Sequence, residues 1–263
     1  MTIVTTARKP NEDLKARAMA ISQASGYPYL ERGKFNLEEL LELHPSFLLL
    51  SNEGLSCYTK DGGRLFFHPS MAMVRLKALR KRKGNDLMLE AMALSPGDRV
   101  LDCTAGLCSD SLVALWGTGE EGELVALEQS PLIYWVVRYG LEHYHGSERI
   151  MELSRRITLV NKDFREYLRE IPPDSFDVIY FDPMFDAPVH ASSSLGSLRP
   201  LACHDALTPA DIAMAARAAR KRVVIKQRTF FKFAQLGLHE IIGGKTSPVA
   251  YGVLIKEGGE GHG

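Results

Sequence analysis

The stretch RVLDCTAGLCSD, Arg99 to Asp110, changes character halfway along. Its first half reads as a short apolar strand, and the residues from Ser109 to Trp116 read as a helix. The chain must turn at Ala105-Gly106, and Gly106 lets it do so while leaving room for a ligand against the backbone. One glycine at such a turn is weak evidence, because many strand-to-helix turns carry one for turning alone. The neighbours of this unit make the argument. Upstream lie a helical stretch (Asp86–Leu94) and the turn Pro96-Gly97-Asp98. Downstream come ELVALE, a helix around Pro131–Tyr144, ITLVN, a helix around Phe164–Glu170 and DVIYF. A long loop, a helix from Pro209, RVVIKQR, HEIIGG and VAYGVLIK complete the series. Strands separated by helices predict an α/β fold with a mostly parallel sheet covered on both faces. The last two strands have no helix between them, so the sheet should end in an antiparallel hairpin.

The segment before this block has its own pattern, a small α/β unit over residues 1–70. Ile3-Val4 starts a strand, and Asn11 can cap a helix whose apolar side includes Leu14, Ala18 and Ile21. Asn36 with Glu39 has capping-box spacing, and His44-Pro45 stops that second helix. FLLLS, GLSCYT and RLFFH then read as strands joined by hairpins. The larger domain spans 71–257, and the glycine-rich residues 258–263 read as a frayed tail. At 263 residues, with 45% apolar residues, the chain has material for both cores. It shows no signal peptide and no long uncharged apolar run, and its four cysteines form no CxxC pair. These features predict a cytoplasmic protein with reduced thiols, no membrane span and no metal site. Net charge is zero, yet Arg75–Lys83 holds six basic residues and no acid, and Ile212–His239 holds seven and no acid. Such segregation can give a neutral protein a basic face for a nucleic acid.

In open α/β sheets ligands bind beyond the carboxyl ends of the strands, so the chemistry should lie there. Ala105 and Gly106 close the first strand. Glu128 closes the second, 22 residues after Gly106, where an acid can accept hydrogen bonds from ribose hydroxyls. A nicotinamide dinucleotide would need three glycines and a free helix N-terminus for its pyrophosphate. Here one glycine is followed by Asp110, whose charge would repel phosphate. S-adenosylmethionine carries a cationic sulfonium and ammonium and no phosphate, so acids suit it. Asp163, after the third strand, can accept from the cofactor or cap the helix at Phe164. The fourth strand ends on Asp182-Pro183-Met184-Phe185. On an exocyclic amine, Asp182 could accept one hydrogen and the Pro183 carbonyl the other, while Phe185 stacks on the ring. Read alone, Asp-Pro is only a turn. Lys226 and Arg228 end the fifth strand, next to the fourth, where they could reach the target backbone. His190, His204 and Arg199 in the long loop are weaker candidates. Trp116 and Trp135 fall on helices and read as core.

Five strand–helix units followed by a hairpin are similar to the Rossmann-like class I methyltransferases. VIYFDPMF resembles the D/N-P-P-Y motif of enzymes that methylate nucleobase amino groups. DPMF, preceded by LDCTAGLCSD and followed by RKRVVIK, resembles bacterial small-subunit rRNA guanine-N2 methyltransferases of the RsmJ type, over about residues 70–228. The resemblance implies S-adenosyl-L-methionine as cofactor, held by Ser109, Asp110, Glu128 with Gln129, Asp163 with Phe164, and Asp182. It implies RNA as partner, either small-subunit rRNA or its assembly particle. This chain departs from the family at Cys108, where a second glycine is usual, at Ser109, where an arginine is usual, and in the loop after DPMF. Three functions remain open at this point: methylation of a nucleobase amine, foremost guanine N2 in rRNA; methylation of a small-molecule or protein amine or amide; or RNA binding without catalysis on the same fold.

Overall fold

The structure is a computed structural model that describes residues 1–61, 63–81, 85–183, 201, 206–244 and 247–256. Phe185, His190, Arg199 and His204 lie outside the described residues, as do Arg82, Lys83 and the tail. The chain forms two compact units. One contains Met1–His68 and Ser130–His145; the other contains Pro69–Gln129 and most of the described chain from Gly146 on.

In the first unit, β1 (Ile3–Thr6), β2 (Ser46–Ser51), β3 (Gly54–Thr59) and β4 (Gly63–Phe66) form a sheet in chain order. β1 is parallel to β2, and the rest of the sheet is antiparallel. α1 (Glu12–Ser25) begins at Asn11, whose side chain accepts from the Leu14 amide, and it buries Leu14, Ala18 and Ile21. α2 (Leu37–Leu43) begins with the expected reciprocal capping box between Asn36 and Glu39. Both helices start where a short polar side chain satisfies a backbone amide that the helix itself cannot. The helix between the second and third strands of the large sheet, α6 (Pro131–His143), also belongs to this unit. Gly140 explains its close approach: a Cβ there would stand 2.2 Å from the Phe67 ring.

The second unit is built on seven strands. They are β5 (Arg99–Asp102), β6 (Glu123–Leu127), β7 (Ile157–Val160), β8 (Phe176–Phe181), β9 (Ala219–Arg228), β10 (Glu240–Gly243) and β11 (Val249–Ile255). Their order is β7-β6-β5-β8-β9-β11-β10. β11 is antiparallel to both its neighbours, and the pairings among β5 to β9 are parallel. The closing hairpin therefore forms as expected, with the last strand inserted between β9 and β10. α3 (Ser70–Arg80), α4 (Leu87–Met92), α5 (Ser109–Gly117), α7 (Glu148–Arg156), α8 (Phe164–Glu170) and α9 (Pro209–Ala218) complete the unit. α3 and α7 escape the sequence reading. α7 buries only Ile150, Leu153 and Ser154, and exposed Met71, Met73 and Val74 blur the period of α3.

All six residues of β8 are buried, as a strand covered on both faces requires. On one face Leu101, Ile179, Val223 and Ile225 pack with Phe164, Leu168, Ile212 and Ala215. Each fully buried aliphatic or aromatic side chain contributes about 1.5–3 kcal/mol. The strand order reverses between β5 and β8. From β5 the chain runs outward to β6 and β7, and from β8 it runs the other way, so a crevice opens at the carboxyl ends of β5 and β8.

Candidate active site

Asp102, the last residue of β5, is buried, and burial lifts its carboxyl to about 7 against its own hydrogen bonds. It accepts from the Ser111 hydroxyl at 2.6 Å and from the Thr104 amide at 3.0 Å, which pins the turn into α5. The Thr104 hydroxyl in turn accepts the Asp182 amide at 2.6 Å. Position thus passes from Asp102 through Thr104 to the first residue beyond β8. Sequence reading missed both links, because nothing local separates them from ordinary turn residues.

The same turn places the cofactor candidates. Gly106 adopts φ +49°, and Cys108 adopts φ +56° as the N-cap of α5, fully buried. The left-handed region costs a non-glycine residue roughly 1–2 kcal/mol, which is why glycine suits position 108 in the resembling family. Glu128, just past β6 and 7% exposed, accepts the Gly106 amide at 3.1 Å, so the acid and the glycine turn converge. Asn161 donates to the carbonyls of Glu128 and Gln129, tying the ends of β6 and β7 together. Asp163 caps α8 by accepting from the amides of Arg165 and Glu166. Phe164 puts its ring in the core, edge-on to Phe181 at 5.2 Å. Ser109 opens α5, and Ala105 donates its amide to the Leu127 carbonyl.

A line of alternating charges runs into this crevice: Asp86, Arg75, Asp110, Lys226, Asp182. Arg75 Nε and Nη2 donate to the two Asp86 oxygens at 2.7 and 2.9 Å, and Arg75 Nη1 donates to Asp110. The second Asp110 oxygen accepts from Lys226 Nζ at 3.0 Å and from the Tyr180 hydroxyl at 2.6 Å. Lys226 also donates to Asp182 Oδ2 at 2.7 Å. Burial alone would lift the Asp110 carboxyl, but Lys226, Arg75 and Tyr180 outweigh it and hold the group well below the usual carboxylate range. Asp182 goes the other way. Burial raises its carboxyl to about 6, with Lys226 pulling it down and the Asp110 charge pushing it up. Its side chain is 28% exposed, the most open of the five, as suits the end that faces the crevice.

This network corrects the reading of the basic runs at Arg75 and Lys226. Arg75 turns inward to Asp86 and Asp110 and is no part of an open basic face. In the second run Arg220 and Lys221 pair with Asp177 and Asp98, and Arg217 donates to the carbonyls of Leu168 and Ile171. Arg217, Arg220 and Lys221 each have a partner contributed from far along the chain, while Arg220 and Lys221 stay nearly half exposed. Lys226 sits between two carboxylates, which ties its ammonium to Asp182 rather than leaving it open to a phosphate. Arg228 closes β9 opposite Val249.

The donor set fits S-adenosylmethionine. Within the ion-paired line, three acids (Asp86, Asp110, Asp182) outnumber two cations (Arg75, Lys226) when all are ionised, and Glu128 adds a further acid, so the crevice carries excess negative charge that suits a cationic sulfonium and ammonium. Glu128 stands beside the Gly106 turn where a ribose would be gripped. Among the described residues no group of three or more His, Cys, Asp or Glu side chains is placed to hold a metal ion. Cys57, Cys103 and Cys108 are buried free thiols, all pushed above the usual thiol range chiefly by burial. No helix among the described residues is long and apolar enough to cross a membrane.

Comparison with known proteins bears on the family and the fold. A family described as "Putative SAM-dependent methyltransferase" matches residues 34–245. The chain is 38% identical over 255 residues to the Bacillus subtilis protein named uncharacterized protein YpiP, spanning 96% of this chain and 98% of that one. It is 30% identical over 235 residues to ribosomal RNA small subunit methyltransferase J of Coxiella burnetii, spanning 86% and 85%. Its fold matches the crystal structure of the SAM-dependent methyltransferase NGO1261 from Neisseria gonorrhoeae with a TM-score of 0.64 at 18% identity, over 99% and 98% of the two chains. A Rossmann-like sheet with acids at its strand ends and a family match over most of the sequence lead to one conclusion: this chain belongs to the SAM-dependent methyltransferase family, as an enzyme whose cofactor is S-adenosylmethionine.

Proposed function

We propose that the enzyme methylates an exocyclic amine of a nucleobase, and that the amine is guanine N2 in small-subunit rRNA. The observation that carries this reading is Asp182. It is a carboxylate at the mouth of the crevice, fixed through its amide by Thr104 and through Oδ2 by Lys226. The similarity to ribosomal RNA small subunit methyltransferase J supports the substrate class.

Bound S-adenosylmethionine supplies an electrophilic methyl carbon; Gly106, Glu128 and Asp163 would hold it at the ends of β5, β6 and β7, with Ala105, Ser109, Gln129 and Phe164 around it. The amine is a poor nucleophile because its lone pair is delocalised into the ring. Asp182 accepts one amine hydrogen and the Pro183 carbonyl accepts the other, which draws the lone pair out of the ring plane. After transfer the nitrogen must shed a proton. A carboxylate held at about 6 is a competent acceptor near neutral pH. Asp110 acts one step back, as the anion that places Lys226. Phe185 completes the proposal as the ring that stacks on the base. The target must be unstacked, since a paired base does not offer its amine to a pocket.

The test is product analysis. Protein, labelled S-adenosylmethionine, and either small-subunit rRNA or assembling subunits are incubated, and the RNA is digested to nucleosides. Label in N2-methylguanosine is the expected result. Label in another nucleoside corrects the target base. Labelling of small amines or proteins while both RNA substrates stay unlabelled overturns the proposal.

A further inference from the structure

The four-stranded sheet of the first unit has a face that its helices cover only in part. Alternate residues share a face, and the register lines up Phe47 with Tyr58, Tyr58 with Arg64, and Ser56 with Phe66. α2 covers the β1–β2 half, where Ile3, Leu40, Phe47 and Leu49 form a small core. Beside that core a groove of about 310 Å³ opens at the β2–β3 hairpin end, with Arg32, Leu37, Leu49, Glu53, Tyr58 and Arg64 in its walls; Phe66 lies next to it, two residues along β4 from Arg64, and Arg8 follows the wall residue Ala7.

The groove and its rim combine flat rings with cations. Tyr58 stacks on Phe47 at 5.1 Å and 17°, so one ring face is backed by core. Arg64 lies over the Phe66 ring at 4.9 Å, and Phe66 remains 38% exposed. Arg64 also bonds Glu53 at 2.9 Å and donates from Nε to the Ser56 hydroxyl at 3.1 Å, which fixes its guanidinium at two points. Arg8 and Arg32 are near enough that the Arg8 charge, after burial, helps to lower the Arg32 pKa. Their side chains donate to the carbonyls of Lys34 and Phe35, and among the described residues Arg8, Arg32 and Lys34 form no ion pair. Arg8 and Arg32 are thus anchored on adjacent backbone carbonyls, and the acid of the groove, Glu53, is engaged by Arg64, which leaves these two guanidiniums for an anion.

We infer that this sheet face is a docking site for a single-stranded segment of RNA, with bases on Tyr58, Phe66 and the Arg64 plane and phosphates at Arg8 and Arg32. Aromatic rings on an open sheet, bordered by arginines, are the chemistry that holds unstacked bases. An acidic protein segment would use the cations and leave the rings idle. The inference rests on the reading of RNA as substrate, and it gives the first unit a task separate from catalysis.

The experiment uses the full chain and a fluorescein-labelled mixed-sequence single-stranded RNA of about twelve nucleotides, within the span such sites cover. Kd is read by anisotropy across a salt series. Arg8→Ala with Arg32→Ala removes two phosphate contacts. It should weaken binding roughly 10- to 30-fold near 0.1 M salt and flatten the slope of log Kd against log salt by about 1.4. Phe66→Ala should weaken binding about 5-fold or more with the slope unchanged. Calorimetric affinity for S-adenosylmethionine should stay at the wild-type value in both, which shows that the catalytic unit is intact, and an unchanged thermal unfolding profile shows that the first unit is folded. If wild-type protein methylates ribosomal RNA and neither its Kd nor its KM for RNA moves in the variants, the groove is overturned and the catalytic reading stands. If the variants keep the oligonucleotide and lose only a ribosomal protein, the occupant is a protein and the inference also falls. Wild-type protein that neither binds the oligonucleotide nor methylates ribosomal RNA overturns both readings.

Discussion

Lys226→Met isolates the charge network, because it removes one ammonium and nearly keeps the volume. In the wild type Lys226 bridges Asp110 and Asp182 at 3.0 and 2.7 Å. Without it two carboxylates share a largely buried site with only Arg75 and Tyr180 to compensate. Breaking a buried ion pair by removing one partner costs about 3–5 kcal/mol, and the partial exposure of Asp182 places this case near the lower end. The cost depends on pH, and its sign follows from linkage. Asp182 starts at about 6, and losing the cation while keeping the Asp110 charge pushes it higher. An acid with a raised folded pKa makes the folded state bind the extra proton. Stability is then full below the unfolded value near 3.9 and falls as pH climbs through the folded value, by up to about 1.4 kcal/mol per pH unit. Denaturant unfolding should therefore show a small deficit for the variant at pH 5.5 and a deficit of about 3 kcal/mol at pH 8.5. The acid limb of kcat/KM, expected near 6 in the wild type, should move up by about two units, the shift that a pH-dependent deficit of about 3 kcal/mol requires at about 1.4 kcal/mol per unit. A merely structural lysine would lower stability equally at both pH values and leave that limb in place. Equal deficits, or a limb that moves down, would refute the reasoning.

Three further outcomes follow from other parts of the site. Asp182→Asn keeps the shape and removes the charge; kcat should drop about 100-fold or more while stability changes by about 1 kcal/mol or less, because Lys226 keeps Asp110. Single-turnover methyl transfer beside denaturant unfolding checks both halves. Glu128→Ala takes the acceptor from the Gly106 amide, and calorimetry should show S-adenosylmethionine bound about 10- to 100-fold more weakly. Cys108→Val puts a branched side chain at φ +56° and should lower the unfolding free energy by roughly 2 kcal/mol or more; Cys108→Gly should be close to neutral, since relief of strain offsets the lost buried side chain.

Much of this molecule is local in origin, and so it can be read from the sequence. The caps at Asn11 and Asn36 depend on side chains reaching amides three residues away, and both form as their spacing predicts. The alternation of strands and helices needs only hydrophobic period and turn residues, and it places Gly106, Glu128, Asp163 and Asp182 at strand ends. That pattern determined the α/β class, the closing hairpin and the choice of a cationic cofactor over a pyrophosphate. Tertiary structure decided what each charge does. Lys226 meets Asp110 from 116 residues away, and Arg75 meets the same carboxylate from 35. No window of sequence holds such pairs together, so a basic run read as an open surface contains a buried bridge. α6 follows the same logic: its period announced a helix, but only packing against Phe67 shows which unit it joins. Local rules depend on neighbours along the chain, whereas burial and charge pairing depend on neighbours in space.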